Sequence, residues 1–392
     1  MAKIPPHLQA TLAVLNFLLP RLARQAKVDR FETADWVIEL KRGARPKEVV
    51  MEISTLCEFK CVHCFRWSAK NFKETYMEMD KFSRILENLV RSGVEKVALT
   101  GWGEPTTHPD FEWLLKSLRS RGLRVVLNTN GYRLSKLYRV VAENVDEIVV
   151  SIDAATLELY GRMRVGGVLP EVVESLKKVV ELKRLELVTR PTIKVIFTIT
   201  KLNFHEAGDL LKLARELGVN EVMYSYYIPL EGERGLDCVG DTYCIKGFEE
   251  SIEKAKREYP ELGLRISVPQ LPLGSYRSCP FAQNKALYIR VDGSVTPCLY
   301  YSRTWKTRLF GVERSINEII LGSAIEESLA DIWRNEYSKL YYKLSFNEMP
   351  SCFTCVLVNY CALTRSNDGD CLGNTPTCAH CPFYHGLTFC PL

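Results

Sequence analysis

Between residues 49 and 229, short apolar runs rich in β-branched side chains alternate with longer stretches of helical periodicity, and this limits the fold more than any other feature. Strands are predicted at 49–54, 96–100, 124–128, 147–152, 192–200 and 221–226. Helices are predicted at 79–92, 111–121, 134–144, 170–186 and 205–217. Six strands alternating with helices require a parallel sheet with crossover helices, in a barrel or an open doubly wound form. In either form, chemistry gathers at the carboxyl ends of the strands. Those ends hold the unusual residues: Cys57, Cys61 and Cys64 after the first, Gly101 to Pro105 after the second, Asn128 to Gly131 after the third, and Ser151 with Asp153 at the fourth.

Outside this region the pattern changes. Leu8, Leu12, Leu15, Leu19 and Leu22 step by four and three, so residues 1–45 are expected to form an amphipathic helical extension of the core at 46–235. The apolar run is too short to span a bilayer and lacks the marks of a signal peptide, which implies a cytoplasmic protein. After Pro229 the alternation stops. A polar connection at 236–275, with a helix over 248–259, leads to a loop-rich domain at 276–392. A net charge of +5 from 52 basic and 47 acidic side chains gives no footprint for nucleic acid.

Fourteen cysteines in 392 residues fall in two groups, at 57–64 and from 238 onward. A disulfide scaffold belongs to shorter, secreted chains, so metal ligation in a reducing compartment is the expectation. Cys57-x3-Cys61-x2-Cys64 offers three thiolates, and the next cysteine is Cys238. A four-iron cluster held by three leaves one iron open. A zinc site completed by His63 or a distant ligand is the alternative.

The loop from Cys57 to Cys64, the segment Gly101 to Pro105, Asn130-Gly131 and Ser151-Ile152-Asp153 together resemble the radical S-adenosylmethionine (SAM) superfamily. The resemblance implies an α/β fold, a partial (β/α)6 barrel of radical SAM type. Its open iron would chelate SAM, which an electron from the cluster cleaves to a 5′-deoxyadenosyl radical that takes a hydrogen atom from substrate. On that footing Gly103 admits the methionine part of SAM and Glu104 accepts from its ammonium group. Pro105 stiffens the turn. Asn130, Ser151 and Asp153 bind ribose hydroxyls or, for Asn130 and Ser151, the carboxylate. Arg164 or Arg162 pairs with the carboxylate, and His63 or Phe65 lies beside the adenine. Tyr224, Tyr226 and Tyr227 end the sixth strand, where they either face the cavity or pack in the core.

Cys279-x13-Gly293-x4-Cys298, followed by Cys352-x2-Cys355-x5-Cys361 and Cys371, resembles the SPASM extension of radical SAM enzymes, which implies a C-terminal cysteine-rich domain with one or two auxiliary [4Fe-4S] clusters. The implied sets are Cys279, Cys298 and Cys371 for one cluster, and Cys352, Cys355 and Cys361 with one of Cys378, Cys381 or Cys390 for the other. Two departures bear on these sets: nine residues separate Cys361 from Cys371, and three late cysteines stand where one is usual. A zinc ribbon of Cys352, Cys355, Cys378 and Cys381 is the alternative, and Cys238 and Cys244 are expected as buried free thiols.

The tail from Asp370 to Cys381, ending in Cys390-Pro391, and the run Gly101 to Pro109 resemble the radical SAM proteins associated with tungsten cofactor oxidoreductases. This implies as partners a tungsten-dependent oxidoreductase or its pterin cofactor, and a low-potential electron donor such as ferredoxin. A peptide or protein maturase that forms thioether or carbon–carbon crosslinks or oxidises a residue is the alternative in the same superfamily. A non-catalytic iron–sulfur or zinc protein is the reading from a different class.

Overall fold

The computed structural model describes residues 30–33, 36–39, 45–186, 188–232, 235–269, 271–274, 277–334, 340, 344 and 348–392. The expected helix over 8–22 lies outside them. Strands β1 (Arg30–Thr33) and β2 (Trp36–Glu39) pair as an antiparallel hairpin, so the N-terminal extension is not helical throughout.

The alternation then appears as read. β3 (Glu48–Met51) is followed by the short β4 (Lys60–Cys61), α1 (Met79–Arg91), β5 (Lys96–Leu99), α2 (Phe111–Ser120), β6 (Arg124–Thr129), α3 (Leu134–Asn144) and β7 (Glu147–Ser151). Next come α4 (Leu157–Met163), β8 (Arg164–Val165), α5 (Leu169–Leu185), β9 (Thr192–Ile199), α6 (Ala207–Glu216) and β10 (Glu221–Tyr226). α4 and β8 are absent from the sequence reading. β8 pairs antiparallel with β4, which ties Cys61 to Arg164.

Helix and strand periods explain the packing. On α1, Phe82, Ile85, Leu86 and Leu89 are buried at steps of three and one, giving a single apolar stripe. On β9, Ile193, Val195, Phe197 and Ile199 are wholly buried in the core, and the alternate Lys194, Ile196 and Thr198 line a cavity on the other face.

The six major strands pair in parallel in the order β3-β5-β6-β7-β9-β10, each new strand adding at the outer edge. A doubly wound sheet reverses direction at a switch point. Unreversed order winds the sheet as a partial barrel with its helices on one side.

The later chain continues this sheet instead of starting a separate one at residue 276. After α7 (Thr242–Glu258), β11 (Arg265–Ser267) joins in parallel outside β10. β12 (Ala286–Ile289) then pairs in parallel with β3 at the opposite side, and β13 (Ser294–Thr296) and β16 (Gly322–Ser323) extend that edge. β14 (Trp305–Leu309) and β15 (Val312–Ile316) form a hairpin of their own. A buried ion pair between Glu52 and Arg303, with Trp102 N and Tyr288 Oη also donating to Glu52, fastens this extension to the barrel. No helix among the described residues is long and apolar enough to cross a membrane.

Cys238 and Cys244 are not free thiols: they form a disulfide with Cα atoms 5.5 Å apart. Asp241 caps α7, accepting from Cys244 N at 3.0 Å while its own N–H donates to the Cys238 carbonyl at 3.0 Å. That turn brings the two sulfurs together.

Candidate active site

The strand ends open into a cavity of about 290 Å³ lined by Cys57, Cys61, Cys64, Gly103, Glu104, Asn130, Ser151 and Arg164, among others. The three thiols occupy one tight loop, closed by Cys64 N donating to the Cys61 carbonyl at 3.2 Å. Burial pushes the Cys57 thiol up to about 12, with the Glu104 charge adding to it. Burial likewise pushes Cys61 up to about 11 against the Arg164 guanidinium, and Cys64 to about 11 against the backbone N–H of Arg66. Three such sulfurs become thiolates only beside added positive charge, which a metal centre supplies. Asn130 Nδ2 lies 4.0 Å from the Cys57 sulfur and Arg164 Nη1 lies 3.8 Å from that of Cys61.

Among the described residues, no three Cys, His, Asp or Glu side chains converge tightly enough for a single metal ion. Zinc would draw four sulfurs to within about 3.8 Å of one another around bonds of about 2.3 Å. An iron–sulfur cube takes one thiolate at each corner, and the three free thiols of Cys57, Cys61 and Cys64 on one loop at the cavity fit three such corners with the fourth facing the cavity.

Glu104 is buried and its oxygens are heavily engaged. Oε1 accepts from Thr106 N at 3.1 Å, Thr106 Oγ1 at 2.6 Å and Thr129 Oγ1 at 2.7 Å, and Oε2 accepts from Asn130 N at 2.7 Å. Burial raises its pKa against these bonds. One face of Oε2 is left for a donor in the cavity. Gly103 serves packing first: a Cβ there would lie 2.5 Å from the Thr55 backbone, so the two strand-end loops touch because this residue is glycine. Phe65 meets Trp102 edge-on at 4.4 Å, and Trp102 Nε1 donates to Ser302 Oγ at 2.8 Å.

Asp153 differs from the expectation of a ribose contact. It is wholly buried, is absent from the cavity wall, pairs with Arg164 Nε at 2.6 Å and His63 Nε2 at 3.2 Å, and accepts from Thr198 N at 2.6 Å. Burial would raise its carboxyl, but the charges of Arg164 and His63 overcome this and hold it well below the usual carboxylate range. It stands behind the cavity wall and fixes Arg164 and His63, both of which line the cavity. Arg162 sits on α4 away from the cavity wall. Tyr226 and Tyr227 line the cavity, whereas Tyr224 is a core residue whose hydroxyl donates to the Ala207 carbonyl at 2.7 Å.

Several cavity residues escaped the sequence reading. Arg66 is buried on the wall, with Nε and Nη1 unpartnered among the described residues; its position two residues after Cys64 was the available signal. Lys194 bridges Glu147 at 2.9 Å and Glu221 at 3.5 Å on the inner face of the sheet, and strand alternation gave their side. Thr388, Phe389, Cys390, Pro391 and Leu392 also line the cavity, for which no local pattern exists.

The late cysteines group differently from the expected sets. Cys279, Cys298, Cys378, Cys381 and Cys390 lie close enough to feel one another's charge. Cys352 has Cys371 and Cys355 as its thiol neighbours, and Cys361 follows in the same loop. Cys371 is thus displaced from the Cys279 set, and the late cysteines from the Cys352 set. Asp370 causes the exchange: it accepts from Leu372 N, Asn374 N and Thr377 Oγ1, turning Cys371 outward and sending Thr377 back, where its carbonyl accepts from Tyr301 Oη. This grouping also divides the four cysteines of the zinc-ribbon alternative.

The sequence profile of the Radical SAM superfamily matches residues 51–214, and that of the SPASM family, an iron-sulfur cluster-binding domain, matches 279–356. The chain is 30% identical over 352 residues to the tungsten-containing aldehyde ferredoxin oxidoreductase cofactor-modifying protein of Pyrococcus furiosus, covering 88% of this chain and 97% of that one. Its fold is similar to that of Streptococcus suis SuiB bound to S-adenosylmethionine, with a TM-score of 0.60, 18% identity, and coverage of 92% of this chain and 79% of that chain. It is also similar to native anSMEcpe with bound AdoMet, with a TM-score of 0.58, 19% identity, and coverage of 80% and 87%. The radical SAM domain binds a [4Fe-4S] cluster and SAM, and the SPASM domain binds auxiliary iron–sulfur clusters. A cysteine loop at the mouth of an unreversed parallel sheet, a cysteine-rich extension and a relative matched along nearly its whole length together make this chain an enzyme of the radical SAM superfamily, of the type that carries a SPASM domain.

Proposed function

We propose that the chain cleaves SAM reductively in the cavity at the strand ends, with Cys57, Cys61 and Cys64 as the ligands of the cluster, in the maturation of a tungsten–pterin oxidoreductase or its cofactor. The observation that carries the reading is the trio of buried thiols beside Glu104, Asn130 and Arg164 on one cavity wall. When bound, cluster and SAM supply a carbon radical able to take a hydrogen atom from substrate. The protein's own residues position and shield that chemistry. Asn130 and Arg164 direct N–H groups at the sulfurs, and Glu104 keeps one acceptor face toward an ammonium group. Ser151 presents a hydroxyl to the cavity, while Phe65 and Trp102 close one side against water. Asp153 holds Arg164 and His63 in place.

The tungsten assignment draws support from the Pyrococcus furiosus relative, which is named as a modifier of that cofactor. Anaerobically reconstituted protein reduced with dithionite is expected to convert SAM to 5′-deoxyadenosine and methionine. Replacing Cys57, Cys61 and Cys64 together by Ala should abolish this, and cleavage that persists in the triple variant rejects the assignment. A tungsten oxidoreductase that remains fully active in a strain lacking this protein rejects the substrate.

A further inference from the structure

The fold fastens a buried cation to one of the three loop cysteines. β4 and β8 form a two-stranded ladder in which Cys61 stands opposite Arg164, and Val62 N donates to the Met163 carbonyl at 3.0 Å. That register leaves Arg164 Nη1 3.8 Å from the Cys61 sulfur, to which it donates a hydrogen bond. Arg164 is 6% exposed, so its charge acts on the sulfur through protein and is little screened by water. Asn130 reaches the Cys57 sulfur at 4.0 Å with a neutral amide, whereas the Arg164 donor is charged, and charge-assisted bonds are about twice as strong.

Behind Arg164 stands its counter-ion. Asp153 meets Nε, on the stem side of the guanidinium, at 2.6 Å. It is wholly buried, its carboxylate accepts from Thr198 N at 2.6 Å, and its carbonyl accepts from Asn203 Nδ2 at 2.8 Å. Among the described residues Asp153 makes no hydrogen bond to a cysteine, which leaves the cation nearer the Cys61 sulfur than the anion.

The potential of an iron–sulfur cluster is set by its net charge, by hydrogen bonds to its sulfurs and by exposure. Reduction adds an electron to a centre that its thiolates already make negative, so a buried cation at a ligand sulfur favours the reduced form. We propose that Arg164 sets how readily the SAM cluster takes its electron, by donating Nη1–H to the Cys61 thiolate. Asp153 is then a positioning residue, which holds the guanidinium on the sulfur and offsets part of its charge. This rests on Cys57, Cys61 and Cys64 holding the SAM cluster, which SAM cleavage by the wild type and its loss in the triple Ala variant check separately.

The test is a potentiometric titration of the reconstituted holoenzyme followed by electron paramagnetic resonance. SAM is left out, so that any contact of Arg164 with its carboxylate is silent. The signal of this cluster is the one missing from the triple Ala variant. Arg164→Met should move its midpoint to more negative potential, Arg164→Lys should fall between that variant and the wild type, and Asp153→Asn, which lifts the offset, should move it to more positive potential. The double variant Asp153→Asn with Arg164→Met buries no unpaired charge, so it reads the effect even where a single variant fails to fold. Its midpoint should still lie below that of the wild type, because the nearer charge is the one lost. The auxiliary clusters should keep their midpoints. A wild-type midpoint in the double variant or in Arg164→Met, an Asp153→Asn midpoint at or below that of the wild type, or an equal shift of every centre would each overturn the proposal.

Discussion

Removing the carboxylate of Asp153 is the sharpest test of how the cavity wall is held. Asp153 is wholly buried and Arg164 nearly so, so replacing the acid leaves a guanidinium without its ion partner, at a cost of about 3–5 kcal/mol. Asp153→Asn keeps an oxygen for the Thr198 N–H, whereas Asp153→Ala also orphans that donor and should lose about 1–3 kcal/mol more. The double variant Asp153→Asn with Arg164→Met removes both charges and should lose less than Asp153→Asn alone. Urea unfolding of the anaerobic holoenzyme reads these differences as midpoint shifts at unchanged slope. The sign with pH follows from the depressed carboxyl. Its contribution is fully present above the unfolded value of about 3.9 and is lost only as pH falls below it, so the gap between wild type and Asp153→Asn should be flat from pH 5 to 8 and narrow in acid. An Asp153→Asn protein within 1 kcal/mol of wild type, a margin well below the cost above, or a double variant that loses the sum of the two singles, would refute the reasoning.

Further outcomes follow from other contacts. Gly103→Ala drives a methyl group to 2.5 Å from the Thr55 backbone and should cost about 1–3 kcal/mol, measured by urea midpoint, with SAM affinity falling as the loops part. Glu104→Gln turns an amide N–H against one of four donors and should raise the KM for SAM more than it lowers kcat. Opening the Cys238–Cys244 disulfide with Cys238→Ser and Cys244→Ser should destabilise by about 2 kcal/mol for so short a loop, and intact-mass measurement of the wild type without reductant should be two hydrogens light. Asp237 is pushed up to about 6 by burial, so its ionisation destabilises the fold as pH rises from the unfolded value of about 3.9 through 6. Asp237→Asn should therefore be more stable than wild type at pH 7 and equal to it below about pH 4.

The barrel was legible because local periodicity and long-range packing agree there: the buried alternation of β9 and the stripe on α1 are visible in sequence and are the contacts the sheet uses. The cysteine loop was equally legible, since its chemistry lies within eight residues. Asp153 misled because a strand-end acid looks the same whether it faces a ligand or anchors an arginine behind the wall, and only burial separates the two. The Cys371 exchange depends on how Asp370 gathers four donors, a tertiary detail without a spacing signature. The parallel return of β12 to β3 leaves no periodic trace either, because a four-residue buried strand reads like any short apolar run.

That return has a consequence for how the protein is made and how it can be divided. β3 waits beside β5 with its other edge bare until residues more than two hundred positions later are synthesised, so the sheet cannot be completed on the ribosome from its first half alone. Cutting away the extension as a detachable module would uncover the same edge, and a truncated core should aggregate through it.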